Sequence, residues 1–128
     1  SVPLLADAPQ VPGRMENVGN AGGATVFVDY AHTPDALENA CRTLLELEPT
    51  RLLTIFGCGG DRDARKRPLM GEVASRLSNY CVVTSDNPRS ENPETIIKQI
   101  VAGMSGTQHV TIVDRAKAIQ AVSYTHLT

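Results

Sequence analysis

The sequence has no apolar run long enough to cross a bilayer and no basic–apolar–small leader segment. Membrane insertion and export are therefore not expected, and the chain reads as cytoplasmic. Its three cysteines are an odd number without paired spacing, which excludes a disulfide framework. Cys41 and Cys81 fall in apolar patterns and read as buried thiols. Charge of one sign is missing as well. The formal net charge is −2, so no global field favours nucleic acid or a membrane surface, and any anion site has to be local. Two nucleotide signatures are absent: the GxxxxGK[ST] phosphate loop and a GxGxxG turn opening a helix. The second absence argues against an independent nucleotide-dependent oxidoreductase.

What remains is enough for one domain. The 128 residues are 41% apolar and 20% charged, which supports a core of ordinary size. Residues 1–13, SVPLLADAPQVPG, carry three prolines and no period, and read as a linker or the tail of a preceding domain. Four apolar runs follow: TVFV (25–28), LLTIF (52–56), CVVT (81–84) and VTIV (110–113). They are rich in β-branched residues without clean alternation, which suits strands covered on both faces. A weaker strand is predicted around Arg14–Val18.

Helical patterns separate the runs. Thr33-Pro34-Asp35 is a start signal: a capping hydroxyl, a proline for the first turn and an acid at the positive end of the dipole. Pro68 opens a second helix, Asn92-Pro93-Glu94 a third, and Asp114 caps a fourth. The alternation predicts an α/β fold. It is an open, mostly parallel, Rossmann-like sheet with right-handed crossovers and helices on both faces.

In such sheets ligands bind beyond the carboxyl ends of the strands. The unusual residues concentrate there: DYAHTPD after the first run, GCGGDRDARKRP after the second, SDNPRSENP after the third. The opposite loops, around 48–50, 78–79 and 103–108, are bland. GCGGDRDARKRP offers glycines that let a ligand approach closely, with Arg62, Arg65, Lys66 and Arg67 set against Asp61 and Asp63. It reads equally as a turn followed by a solvated charge run. Nothing beside Cys58 supports a metal site.

In SDNPR, Pro88 fixes its own φ and biases Asn87 towards extended backbone. A rigid turn of that kind aims the Arg89 guanidinium at a carboxylate, while Asp86 and Asn87 meet an ammonium. Together they suit a zwitterionic amino acid; the competing reading is a solvent-exposed arginine before a helix. Asp29, at a strand terminus, suits ribose hydroxyls. His32 is either part of that site or a packed ring near a helix start.

Taken together, VPGRMENV, VDYAHTPDALENA, FGCGGDRDARKRPLMG and VTSDNPRSENPETII resemble the C-terminal domain of the Mur ligase family, in the family's order and spacing, from about Val11 to about Ala121. The resemblance implies a domain over 14–122, preceded at 1–13 by a linker or the end of a central ATPase domain. Residues 123–128 have no likeness to the family. It implies an ATP- and Mg2+-dependent ligase of peptidoglycan biosynthesis. Such an enzyme joins meso-diaminopimelate to a UDP-N-acetylmuramoyl dipeptide through an acyl phosphate.

By the same resemblance, Arg14, Asp29 and His32 serve the nucleotide, and Arg62, Asp86, Asn87, Pro88 and Arg89 serve diaminopimelate. Arg89 grips the distal carboxylate; family members that add lysine tend to lack this arginine. No catalytic residue and no metal ligand is assigned to this stretch. The UDP-sugar and P-loop domains of the family are not in these 128 residues, nor is a GKGHE-like motif expected beyond residue 121. The chain alone is therefore expected to be a fragment without catalysis. The alternative is a non-enzymatic doubly wound nucleotide-binding or regulatory module. A receiver-like domain of that kind needs an acidic cluster and a later lysine, which the basic GCGGDRDARKRP loop fits poorly.

Overall fold

The computed structural model describes residues 15–21, 24–105 and 108–127; Arg14 and the proline-rich residues 1–13 lie outside them. In chain order the elements are β1 (Glu16–Ala21), β2 (Ala24–Val28), α1 (Pro34–Leu45), β3 (Leu53–Phe56), α2 (Lys66–Leu77), β4 (Tyr80–Val83), α3 (Pro93–Val101), β5 (Gln108–Thr111) and α4 (Arg115–Leu127). This is an α/β fold. Strands β3, β4 and β5 form a parallel sheet in that order, paired from Leu53–Tyr80 to Phe56–Val83 and from Tyr80–Gln108 to Val83–Thr111.

One strand departs from the sequence reading, which took all four apolar runs as strands covered on both faces in a mostly parallel sheet. Ala24–Val28 pairs antiparallel with β1, from Glu16–Val28 to Ala21–Ala24, with a register shift between Asn17 and Gly19. The weakly signalled strand near residue 16 is thus real and takes β2 as its partner. The physical reason lies in its composition. ENVGNA is largely polar, and Val28 stays exposed, so the ribbon is not sealed on two faces as β4 is. A short apolar run does not say which sheet it joins.

The helix starts follow the local chemistry. Thr33 Oγ1 accepts from the Ala36 N–H at 3.1 Å, Asn92 Oδ1 from Glu94 N–H at 2.9 Å, and Asp114 Oδ1 from Lys117 N–H at 3.0 Å. Each satisfies an amide the first turn leaves unpaired, worth about 1 kcal/mol.

Helices α2 and α3 pack on each other and on β4, and α1 packs on α2; α4 lies against β3 and β4. The core follows this layering. Cys81 and Val83 of β4 join Leu37, Met70, Val73, Ala74, Ile96 and Ile100. Val82 is buried but absent from that cluster, as is Ala118 of α4, consistent with strand alternation turning Val82 to the opposite face. Close approach of α2 and α3 requires Gly71, because a methyl there would meet the Ile100 carbonyl. Among the described residues no helix is long and apolar enough to cross a membrane. Since β3, β4 and β5 run the same way, their carboxyl ends share one edge, and the segments beginning at Gly57, Thr84 and Ile112 meet there.

Candidate functional site

At that edge a cavity of about 270 Å³ opens between the loops after β3 and β4. His32, Arg62, Asp86, Asn87 and Arg89 line it, together with the Gly57–Gly59 backbone and the side chains of Asp63, Lys66, Arg67 and Met70. Five of the eight residues singled out from the sequence therefore converge. Pro88 sits within the same turn. Asp29 is not among the lining residues; at the end of β2 its Oδ2 accepts from the Met15 N–H at 3.0 Å. Arg14 falls outside the described residues.

The two loops are clasped. Gly60 N–H donates to the Asn87 carbonyl at 3.0 Å, and Arg89 Nη1 donates to the Gly60 carbonyl at 2.8 Å. Ser90 Oγ–H donates to Asp61 Oδ1 at 2.6 Å, and the Asp61 N–H donates to Glu91 Oε2. Gly60 has no room for a side chain, because a Cβ would fall on the Pro88 carbonyl. The end of β5 is drawn in too: Thr84 Oγ1 and Ser85 N–H both donate to the Val113 carbonyl, at 3.3 Å each.

The clasp holds strained backbone. Asp61, Asn87 and Arg89 have φ of 55°, 53° and 52°. For non-glycine residues the left-handed region costs about 1–2 kcal/mol each. Three such residues in two facing loops need firm support. The sequence reading had Asn87 extended ahead of Pro88. The proline does disfavour the right-handed helical region there, but the turn uses the left-handed one instead, which asparagine tolerates better than most residues.

The support comes from a residue the sequence reading left in a charge run. Arg67 is 1% exposed. Its Nη1 donates to Glu91 Oε1 at 3.0 Å and to Gln99 Oε1 at 2.7 Å, and its Nη2 to Glu91 Oε2 at 2.7 Å and to the Gly59 carbonyl at 3.2 Å. Four of its five donors are used; Nε has no partner. The guanidinium and the Asp61 N–H hold the Glu91 carboxyl down at about 2. A signal for Arg67 was present: it precedes Met70, Gly71 and Ala74 by three, four and seven residues, all of them buried on α2. Glu91, Ser90 and Gln99 carried no comparable signal.

Electrostatically the cavity is mixed. Arg62, Lys66 and Arg89 bring positive charge, Asp63 and Asp86 negative. Asp63 is engaged by Arg65, through Nε at 3.0 Å and Nη2 at 3.0 Å. Asp86 faces Arg115 at the start of α4, Nη1 to Oδ1 at 3.3 Å. His32 Nδ1 lies 3.0 Å from the Tyr30 carbonyl, which orients the ring. Cys58 is half-buried with its Sγ 3.6 Å from Met70 Sδ, and burial pushes its thiol up to about 11. Burial therefore favours its neutral thiol form. Among the described residues no three His, Cys, Asp or Glu cluster to hold a metal. The arrangement suits a small molecule that carries both a carboxylate and an ammonium.

Comparison with known proteins identifies the family and the fold. The sequence profile of the family described as Mur ligase, glutamate ligase domain, matches residues 13–126. The chain is 55% identical over 119 residues, 91% of its length, to UDP-N-acetylmuramoyl-L-alanyl-D-glutamate–2,6-diaminopimelate ligase of Syntrophomonas wolfei. It is 51% identical over 117 residues, 88% of its length, to the protein of that name from Clostridioides difficile. In each case it spans 24% of the relative, so the chain corresponds to about a quarter of these proteins. A solved structure of a ligase of the same name superposes with a TM-score of 0.79 at 42% identity, covering 94% of this chain and 25% of that one. A murein peptide ligase from Psychrobacter arcticus superposes with a TM-score of 0.65 at 17% identity, covering 92% of this chain and 25% of that one, and shares the fold.

Proposed function

The chain belongs to the Mur ligase family, and on that premise we propose that it is the domain that presents meso-diaminopimelate for amide formation in a cytoplasmic peptidoglycan-building ligase. The parent reaction joins the amino acid to a UDP-N-acetylmuramoyl dipeptide. ATP phosphorylates the dipeptide carboxylate, the amine attacks the acyl carbon, and phosphate leaves. A central ATPase domain and an N-terminal UDP-sugar domain of the parent are the partners this reading requires.

The observation that carries the proposal is Arg89. Arg89 lines the cavity, and among the described residues its guanidinium makes one hydrogen bond, 2.8 Å to the Gly60 carbonyl. Four N–H donors remain for a ligand, in the planar fork that matches a carboxylate. Arg62 brings a second cation to the same cavity, and Asp86 and Asn87 supply acceptors for an ammonium. This chain binds and orients the amine; holding it in near-attack geometry is its contribution to rate.

For the nucleotide, Asp29 has one carboxylate oxygen engaged by the Met15 amide and a second with which to accept from a ribose hydroxyl. His32 and Arg14 belong to the same assignment. Mg2+ supplies charge neutralisation at the phosphates when bound, and no residue described here is assigned to it. The 128 residues carry no GxxxxGK[ST] loop, so by themselves they should turn over no ATP.

The test is Arg89→Ala in the full-length ligase. Losing charge-assisted hydrogen bonds to a carboxylate should raise KM for diaminopimelate roughly 10- to 100-fold. KM for ATP should stay within about twofold. Equal effects on both would remove the assignment.

A further inference from the structure

We infer that Arg67 is the positioning residue for Arg89, acting from beneath the cavity through both loops of the clasp. The inference rests on the assignment of Arg89 to the diaminopimelate carboxylate.

The route is short. Arg67 Nη2 holds the Gly59 carbonyl, and the next carbonyl, that of Gly60, is the acceptor for Arg89 Nη1. The Arg67 fork also takes both oxygens of Glu91, two residues beyond Arg89. Glu91 Oε2 in turn accepts from the N–H of Asp61, one residue beyond Gly60. A single planar group therefore fixes the spacing between the two loops from which Arg62 and Arg89 project. With Gln99 also held, only Nε is left without a partner, and that atom is buried. Arg67 borders the cavity but has little left with which to grip a ligand; its donors point into the protein. The clasp it secures contains the three left-handed residues Asp61, Asn87 and Arg89, a geometry that relaxes if either anchor is lost.

Lysine at this position keeps the charge but not the fork, so it cannot set both loops at once. In the full-length ligase, Arg67→Lys is expected to raise KM for diaminopimelate about tenfold and to leave KM for ATP within about twofold. A purely structural arginine would instead lower the amount of active enzyme and leave both KM values alone. The decisive arm is a double-mutant cycle. In an Arg89→Ala background, Arg67→Lys should raise KM for diaminopimelate by clearly less than about tenfold, because the residue it positions is gone and only its effect through the Arg62 loop remains.

The inference is overturned if Arg67→Lys folds and leaves KM for diaminopimelate unchanged. It is also overturned if the change multiplies that KM equally in both backgrounds, or raises both KM values together. If Arg89→Ala alone leaves KM for diaminopimelate unchanged, the functional assignment itself falls, and this inference with it. Should Arg67→Lys unfold, Glu91→Gln carries the same cycle with the same expected outcomes, since it keeps an acceptor for the Asp61 amide but removes the charge that pairs with Arg67.

Discussion

Arg89 and Gly60 are joined from one loop to the other, guanidinium to carbonyl at 2.8 Å. One loop thus carries the cationic group and the facing loop holds it still. The bond leaves most of the guanidinium free while removing much of the rotamer entropy an arginine would otherwise lose on binding.

Gly60 is the tightest point of the clasp. Gly60→Ala places a methyl on the Pro88 carbonyl, so one loop must move. The expected cost is about 1–3 kcal/mol in urea unfolding, with a rise in KM for diaminopimelate accompanying it. Unchanged stability would show that the loops do not meet this closely.

Glu91 makes the clasp sensitive to acid. Its carboxyl lies at about 2 in the folded protein, below its ordinary value of 4.5, because of Arg67 and the Asp61 amide. A depressed carboxylate contributes stability that is complete above the ordinary value and is lost as pH falls towards the folded one. Unfolding free energy measured from pH 6 to pH 2 should therefore decline below about 4.5, and Glu91→Gln should decline less steeply over that window.

The Arg115–Asp86 pair is more than half exposed on each side. Arg115→Ala should change global stability by no more than about 1 kcal/mol. It also removes a competitor for Asp86, so KM for diaminopimelate should fall or hold in titrations of the full ligase. A marked rise would mean that Arg115 itself contacts the ligand.

Below the site, Ile100 is fully buried between α2, α3 and the sheet. Ile100→Ala should cost about 2–5 kcal/mol by chemical denaturation. Because α2 packs on α3 and carries Arg67, ligand affinity should weaken with it.

Much of this was legible in the sequence because it is local. Thr33, Asn92 and Asp114 announce helix starts through chemistry confined to four residues, and each caps as its type predicts. Crossover logic then places the loops after β3 and β4 on one edge, which is why the sequence alone groups Arg62 with Arg89. What was not legible depends on partners distant in the chain. Arg67 looked solvated beside Arg65 and Lys66; its burial is set by Glu91 and Gln99, 24 and 32 residues away. Likewise TVFV has the composition of a buried parallel strand, and only the polar segment beside it makes it half of a ribbon. Asparagine tolerates the left-handed region, but that Asn87 adopts it goes with the hydrogen bond from Gly60 N–H to its carbonyl, a partner 27 residues away in the chain.

The central claim is that Arg89 reads a carboxylate. The most direct measurement is the ratio of kcat/KM for meso-diaminopimelate over lysine, which lacks the distal carboxylate, in the full-length ligase and in its Arg89→Ala variant. The account predicts a strong preference for diaminopimelate that falls by about 10- to 100-fold in the variant, through loss of the diaminopimelate rate with little change for lysine. A variant that keeps the parental ratio, losing activity on both amines alike, would contradict it.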